Sequence, residues 1–398
     1  YDGAIKAEHG EGRNMAPFVR AEWGDRAYGA MERVKRMLDP DGVLNPGVKL
    51  NPNPRAHLES LKPCPTISPL ADRCTECGFC ESRCPSRDLT LTPRQRIVVT
   101  RELTRLRASA APEDREWAEA LEADFAYEGL ATCAADSMCQ TSCPVKIDTG
   151  ALVKELKAAS HSEWSNRAAT AVAGRFSLVS EAARAGMGTA AAVRALPLGA
   201  SLVDLASEAA HAVLPTLVPR VPAGLALPLP ALALPKTSPL AAPPAGGMAP
   251  PAAGRGVVYF PSCLTRIVGS QPGEDILPPA RAMDEVLRWA GFSVRLPDGI
   301  DGLCCGMAFA SKGYPDAARA AAHKTAEALW RASSGGRLPV VTDASPCAGT
   351  LADLVTTILR EAGREVRMLD FPTFWAREVL PGVSDPPRRQ GTAILHPT

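Results

Sequence analysis

The sequence predicts a multidomain chain of mixed class. It opens on an α+β piece, continues through an α-helical, cysteine-rich module and ends in an α/β domain with a parallel sheet. Three observations predict this. Residues 74–85 read C-x2-C-x2-C-x3-C-P, and residues 133–144 almost repeat them. From Arg255 onward, short apolar runs alternate with helix-period segments, the pattern of parallel strands joined by crossover helices. Before the first cysteine run, the strand-like stretch AIKAE precedes a helix-period segment and a Gly/Pro turn.

At 398 residues the chain has room for two or three domains. Its 46% hydrophobic and 22% charged residues fit a globular protein. Basic and acidic residues number 44 and 43, which supports neither a nucleic-acid groove nor a polybasic membrane patch. The apolar stretch from Val221 to Pro235 is interrupted by prolines and is too short for a transmembrane segment. No signal-peptide pattern is present. Clustered cysteines in such a chain favour metal binding in a reducing compartment, hence a cytoplasmic protein or one peripheral at a membrane.

The elements follow in order. Residues 1–60 hold the strand, a helix near Asp25 to Leu38 with Tyr28, Met31, Val34 and Leu38 on one face, and the turn DPDGVLNPG. Residues 61–160 hold both cysteine runs, separated by a helical insert. Thr92 is placed to N-cap that insert, Pro93 to occupy its first position and Gln95 to complete a capping box. Arg94, Arg96, Arg101, Arg105 and Arg107 read as a solvated helix face, with a partner-docking surface as the alternative. Cys64, between two prolines, reads as a free thiol. Residues 161–254 join an Ala-rich, helix-compatible segment to a Pro-rich linker over 215–251. Within 255–398, VVYF and VVT are strands. Met283, Val286, Leu287 and Ala290 make one helix face. Leu351, Leu354, Val355, Ile358, Leu359 and Ala362 make another.

The cysteine spacing carries the chemistry. A 4Fe–4S cluster takes four soft ligands, which thiolates supply, and in two-cluster ferredoxins the fourth cysteine of each run serves the other cluster. Applied here, one cluster takes Cys74, Cys77, Cys80 and Cys143. The other takes Cys133, Cys139 and Cys84, with Asp136 where a fourth cysteine would stand. A lone C-x2-C would equally fit zinc; a complete run with a near copy is far more specific. Asp136 leaves two readings open: a carboxylate on the fourth iron, or a cluster that loses that iron and becomes 3Fe–4S. A third set, Cys263, Cys304, Cys305 and Cys347, lies just beyond predicted strand ends, where parallel sheets place their sites. Buried structural thiols are the alternative there.

The spacing C-x40-C-C-G-x40-C resembles the cysteine-rich CCG domain of heterodisulfide reductase subunits and of the iron–sulfur subunit of anaerobic glycerol-3-phosphate dehydrogenase. That resemblance implies a further cluster on these four cysteines, or closeness to the electron acceptor. Thr350 replaces the second cysteine of the family's closing C-x-x-C, and AILHPT resembles the start of a second repeat. GAIKAEHGEGR and LDPDGVLNPGVKLN resemble the C-terminal end of FAD-linked oxidases of the D-lactate, glycolate and D-2-hydroxyglutarate dehydrogenase group. The segment order is similar to that of the large fused FAD and iron–sulfur D-2-hydroxyacid dehydrogenases. This implies an upstream FAD-binding domain, a D-2-hydroxyacid substrate and a quinone or small redox protein as electron acceptor, and leaves a homo-oligomer open. It also implies Glu8 as ligand of a divalent metal such as zinc, His9 as acid/base, and Asn45 beside the flavin. Beginning at Tyr1 and ending at AILHPT, the sequence reads as a fragment that alone turns over nothing. A stand-alone iron–sulfur subunit or a heterodisulfide reductase-like enzyme are the competing classes; the former should lack GAIKAEHGEGR and LNPG.

Overall fold

A computed structural model describes residues 4–5, 10–194, 196, 199–213, 255–269 and 277–382. Glu8, His9, most of the expected AIKAE strand, the Pro-rich linker and AILHPT lie outside the described residues. The chain divides into two units. One comprises residues 1–72 and 95–125, the other residues 73–94 and 126–398.

In the first unit, α1 runs over Ala16–Leu38, nine residues earlier than the apolar spacing predicts. Pro17 opens it, and Gly24 at φ 74° breaks it, so the helical period becomes legible only after that break. The turn that follows is built on Asp39. Its carboxylate accepts from Val43 N at 2.9 Å and Leu44 N at 3.0 Å, and pairs with Lys35. Asn45 sits within this turn at φ 44°, exposed to solvent. The Lys35 ammonium, followed by the two amides, holds the Asp39 carboxyl below its usual range. A depressed folded value stabilises the turn above the unfolded pKa, and that contribution is lost as pH falls through the folded one. Protection factors at the Val43 and Leu44 amides, measured against the intrinsic exchange rate at each pH, are therefore expected to fall in acid, and Asp39→Asn is expected to remove that pH dependence.

Helix α2, Pro93–Ala108, starts at the predicted proline, and α3 covers Pro112–Phe125. The expected solvated arginine face is corrected in part: Arg96 and Arg101 are only 1% and 4% exposed. The Arg101 guanidinium reaches inward, its Nη2 donating to the Asp72 carbonyl at 3.3 Å. Arg105 pairs with Glu102 and Asp114, and Arg107 with Glu122.

The second unit holds both cysteine runs and then α4 (Met138–Ser142), α5 (Thr149–Ser160), α6 (Glu163–Gly174), α7 (Phe176–Arg194) and α8 (Gly199–Val213). The α/β part follows in the order β1 (Arg255–Phe260), α9 (Cys263–Ile267), α10 (Pro279–Trp289), β2 (Phe292–Arg295) and α11 (Met307–Ser311). It continues with α12 (Pro315–Ala332), β3 (Val340–Thr342), α13 (Ser345–Thr350), α14 (Thr356–Glu361), β4 (Met368–Asp370) and α15 (Phe371–Phe374). The four strands form one parallel sheet, order β2-β1-β3-β4, as the alternation predicts. β2 and β4 have four and three residues and carry no apolar run long enough to announce them.

Both sheet faces are covered, as a parallel sheet requires. Val258, Phe260 and Val340 pack with Leu329, Leu351 and Val355 on one side; Val257, Tyr259 and Val341 pack with Leu287, Phe292 and Phe374 on the other. α12 buries Ala317, Ala318, Ala321 and Ala322, small side chains that let α6 lie along it. α7 adds an ion pair, Arg184 to Asp301 at 2.9 Å. Among the described residues no helix is long and apolar enough to cross a membrane.

Candidate metal centre

The two cysteine runs fold into the same loop twice. In the first, Glu76 and Gly78 have φ of 61° and 85°; in the second, Ala135 and Ser137, at the same offsets, have 53° and 60°. The hydrogen bonds repeat as well. Glu81 N donates to Gly78 O at 2.9 Å and Gln140 N to Ser137 O at 3.0 Å. Cys84 N donates to Glu81 O at 3.1 Å and Cys143 N to Gln140 O at 3.2 Å. Beyond each final cysteine, Arg87 N reaches Cys84 O at 3.2 Å and Lys146 N reaches Cys143 O at 3.1 Å. Left-handed backbone at non-glycine residues costs on the order of 1–3 kcal/mol each. Alternating handedness of this kind turns successive N–H groups inward and makes a nest for an anionic group. That cost, met twice at matching positions, fits loops shaped around an iron–sulfur cluster.

The cysteine at the third motif position of each run faces the start of a helix. Burial pushes the Cys80 thiol up to about 11, opposed by the Arg94 N–H in the first turn of α2, with Cys139 and Cys74 nearby. Burial likewise raises Cys139, opposed by the N–H groups of Thr149 and Gly150 at the start of α5. Unpaired N–H groups and the positive end of the helix dipole favour negative charge on both sulfurs. Gly150 allows this approach, since a Cβ there would sit 3.1 Å from Ala135 Cα.

Two sets of bonds interleave the loops. Arg73, beside Cys74, donates to the Val145 carbonyl at 3.2 Å, two residues past Cys143. Ser86, two residues past Cys84, donates to the carbonyl of Thr132 at 2.6 Å, and Thr90 bonds the Thr132 hydroxyl at 2.7 Å. The head of each run is thus tied to the tail of the other. Arg83 adds a bond to Ser142 at 3.2 Å. Cys84 and Cys139 are buried, Cys74, Cys80, Cys133 and Cys143 half-buried, and Cys77 exposed. Asp136, at the offset of Cys77, is exposed and accepts from Met138 N at 3.1 Å. Among the described residues no three His, Cys, Asp or Glu side chains converge on a single ion. Ligands of a cluster bind separate irons, so thiols spread around a body of several atoms suit it.

Sequence reasoning missed the residues that brace these loops. Asp148 caps α5 by accepting from Ala151 N at 3.2 Å and takes the Ser137 hydroxyl at 2.6 Å. Glu81 accepts from Thr92 and from Arg94, each at 2.8 Å. The Asp-Thr-Gly stretch opening a helical pattern was the available signal for Asp148.

Apart from the exposed Cys64, the other thiols lie at the C-terminal edge of the sheet. Cys263 starts α9 just after β1, Cys304 and Cys305 precede α11, and Cys347 is in α13 just after β3. Asp343 holds this edge together, accepting from Tyr259 Oη at 2.9 Å and Ser262 N at 2.8 Å. Cys305 donates to Cys347 at 3.5 Å, and Cys304 accepts from Gly306 N at 3.4 Å. Arg266, 6% exposed, lies against Cys263 and Cys304 and is held by the carbonyls of Pro261, Ile300 and Leu303.

Residues 1–48 match the FAD linked oxidases, C-terminal domain, and residues 70–147 match the 4Fe-4S dicluster domain. The chain is 36% identical over 52 residues to the mitochondrial cytochrome-type D-lactate dehydrogenase of Arabidopsis thaliana, covering 13% of this chain and 9% of the relative. It is 27% identical over 198 residues to the D-2-hydroxyglutarate dehydrogenase of Pseudomonas putida, covering 37% of this chain and 19% of the relative. It therefore spans less than a fifth of either relative's length. No solved structure gives a significant match.

Proposed function

We propose, from the premise that this chain joins the end of an FAD-linked oxidase domain to a 4Fe–4S dicluster domain, that it is the electron-relay part of a flavin-dependent D-2-hydroxyacid dehydrogenase. The observation that carries this reading is the interleaving of the two loops through Arg73 to Val145 and Ser86 to Thr132. It favours Cys74, Cys77, Cys80 and Cys143 as holders of one cluster, and Cys84, Cys133 and Cys139 as holders of the other. The clusters, when bound, pass electrons one at a time. The chain's own part is to hold thiolates, to aim the amides of α2 and α5 at them, and to restrict water around Cys84 and Cys139. Glu8 and His9, near the start, belong by resemblance to the substrate site, and Asn45 to the flavin's surroundings. The hydroxyacid is oxidised with an upstream FAD domain, and a quinone or a small redox protein takes the electrons. The oxidase match on the same chain disfavours a stand-alone transfer subunit.

Full-length protein, purified without oxygen and given D-lactate, D-2-hydroxyglutarate or glycolate, tests this. Flavin bleaching followed by reduction of iron–sulfur absorbance is expected for one of them. Bleaching that never reaches the iron would end the relay reading.

Asp136 defines a separate prediction. Its exposed carboxylate already bonds Met138 N, and oxygen is a harder ligand than sulfur. Asp136→Cys is expected to raise iron by about one atom per chain, since a four-cysteine set completes a 4Fe–4S cluster. The reduction potential should shift as well. Identical iron content and spectra in variant and parent would rule out Asp136 as the open corner.

A further inference from the structure

The two cysteine loops are braced by different chemistry. In the first, Glu81 accepts from the Thr92 hydroxyl and from the Arg94 guanidinium, so its charge is balanced. In the second, the Asp148 carboxylate divides its oxygens. Oδ1 accepts from Ala151 N at 3.2 Å, in the first turn of α5, and Oδ2 takes the Ser137 hydroxyl at 2.6 Å. We propose that Asp148 is a positioning residue for the cluster of Cys84, Cys133 and Cys139: it holds the first amides of α5 against the Cys139 sulfur, and this hold raises that cluster's reduction potential. The identity of the cluster rests on the relay reading above; the hold on α5 does not.

Three observations carry this. First, Cys139 is buried, and the amides of Thr149 and Gly150 face its sulfur. Unpaired N–H groups in a first helical turn carry partial positive charge. An added electron makes a cluster more negative, so such donors stabilise the reduced form more than the oxidised one. Second, the approach is close. A Cβ on Gly150 would lie 3.1 Å from Ala135 Cα and 3.0 Å from Asp148 Oδ1, which puts the loop, the carboxylate and the start of α5 in mutual contact. Buried Ile147 and Thr149 flank Asp148 on either side. Third, the tie reaches the turn that sets two ligand positions. Ser137 has φ 60° and stands between Asp136 and Met138, whose N–H donates to the Asp136 carboxylate at 3.1 Å. One carboxylate therefore holds both the helix start and the turn that leads to Cys139. The negative charge of Asp148 acts the other way, since a nearby anion disfavours an added electron. Asparagine separates the two effects: it is as good an N-cap as aspartate, and its amide can still bond the Ser137 hydroxyl, but it carries no charge.

The test is oxygen-free potentiometry of the iron-loaded full-length protein, read by low-temperature EPR. The signal that Cys133→Ser removes belongs to the second cluster. Asp148→Asn and Asp148→Ala carry the same charge and differ in the cap. At the ambient potential where the second cluster of Asp148→Asn is half reduced, Asp148→Ala is expected to show a reduced-to-oxidised ratio about tenfold lower, a downward shift of about 59 mV for a one-electron couple. Asp148→Asn should itself lie above the parent. Ser137→Gly keeps the charge and the cap, suits the left-handed backbone and loses the tie. Its second cluster should lie below the parent's. The signal of the first cluster should not move in these variants. Equal potentials in Asp148→Asn and Asp148→Ala overturn the proposal, even where Asp148→Ala melts lower, because Asp148 would then be a helix cap alone. If Asp148→Ala does not assemble, Ser137→Gly decides, and a potential equal to the parent's overturns the proposal. A parent protein that binds no second cluster ends this proposal and the relay reading together. If the shifts appear but hydroxyacid reduces neither cluster, the positioning role stands and the relay reading falls.

Discussion

Cys143→Ser is expected to empty the cluster held by Cys74, Cys77 and Cys80 while leaving the one on Cys133 and Cys139 in place. The reason is the crossing of the chain. Arg73 ties the residue before Cys74 to Val145, and Ser86 and Thr90 tie the tail of the first run to Thr132, next to Cys133. On the proposed crossing, the fourth ligand of each run serves the opposite loop. Iron is expected to fall to roughly half, because each cluster needs its full ligand set. The spectrum of Cys143→Ser should match that of Cys77→Ser. Cys84→Ser should show the reciprocal loss, matching Cys133→Ser. Iron and sulfide content with low-temperature EPR of the reduced protein would decide it. Were Cys143→Ser to match Cys133→Ser instead, each run would hold its own cluster and the bonds between loops would be only scaffolding.

Much of this arrangement is legible in the residues. The spacing of the first run specifies a loop, and the near copy specifies a second loop of the same shape. The parallel sheet follows from VVYF and VVT with apolar helix faces between them. The rest fails for identifiable reasons. β2 and β4 are fixed by pairing with β1 and β3, not by apolar content of their own. Arg96 and Arg101 look like surface residues because charge alone does not reveal an inward acceptor such as the Asp72 carbonyl. Cysteine spacing gives no hint of the braces at Asp148 and Glu81, which act through capping and an ion pair. The 3.5 Å approach of Cys305 to Cys347 joins the loop that precedes α11 to the helix that follows β3, a long-range fact no local pattern carries.

Gly313→Val is expected to unseat the helix that joins the cluster loops to the thiol edge. α5 begins on Cys139 and Ala135 and spans 12 residues, about 18 Å at the usual rise per residue. Its far end lies against the loop between α11 and α12. Lys157 Nζ donates to Ser311 O at 3.3 Å, and His161 Nε2 bonds Lys312 O at 2.8 Å. The His161 ring stacks on Tyr314 at 4.1 Å, and Ser165 bonds the Tyr314 hydroxyl at 2.8 Å. At the centre of this contact, Gly313 has φ 83°, and a Cβ there would lie 2.6 Å from Lys157 Cβ and 2.7 Å from Ala158 N. Left-handed strain of about 1–2 kcal/mol and overpacking of about 1–3 kcal/mol add to a loss of roughly 2–5 kcal/mol. The obstacle includes helix backbone, so it cannot be relieved by a rotamer change. Hydrogen exchange should rise in residues 154–166 and 307–318, and the melting temperature should drop by several degrees. Iron content should stay level, since no cluster ligand is touched. Gly349→Ala is the control: it lies inside α13 with open space where its Cβ would be, so it should be neutral or gain up to about 1 kcal/mol. Unchanged exchange at both segments in Gly313→Val, or iron loss matching a ligand variant, would show that α5 does not serve as the strut between the two cysteine-bearing parts.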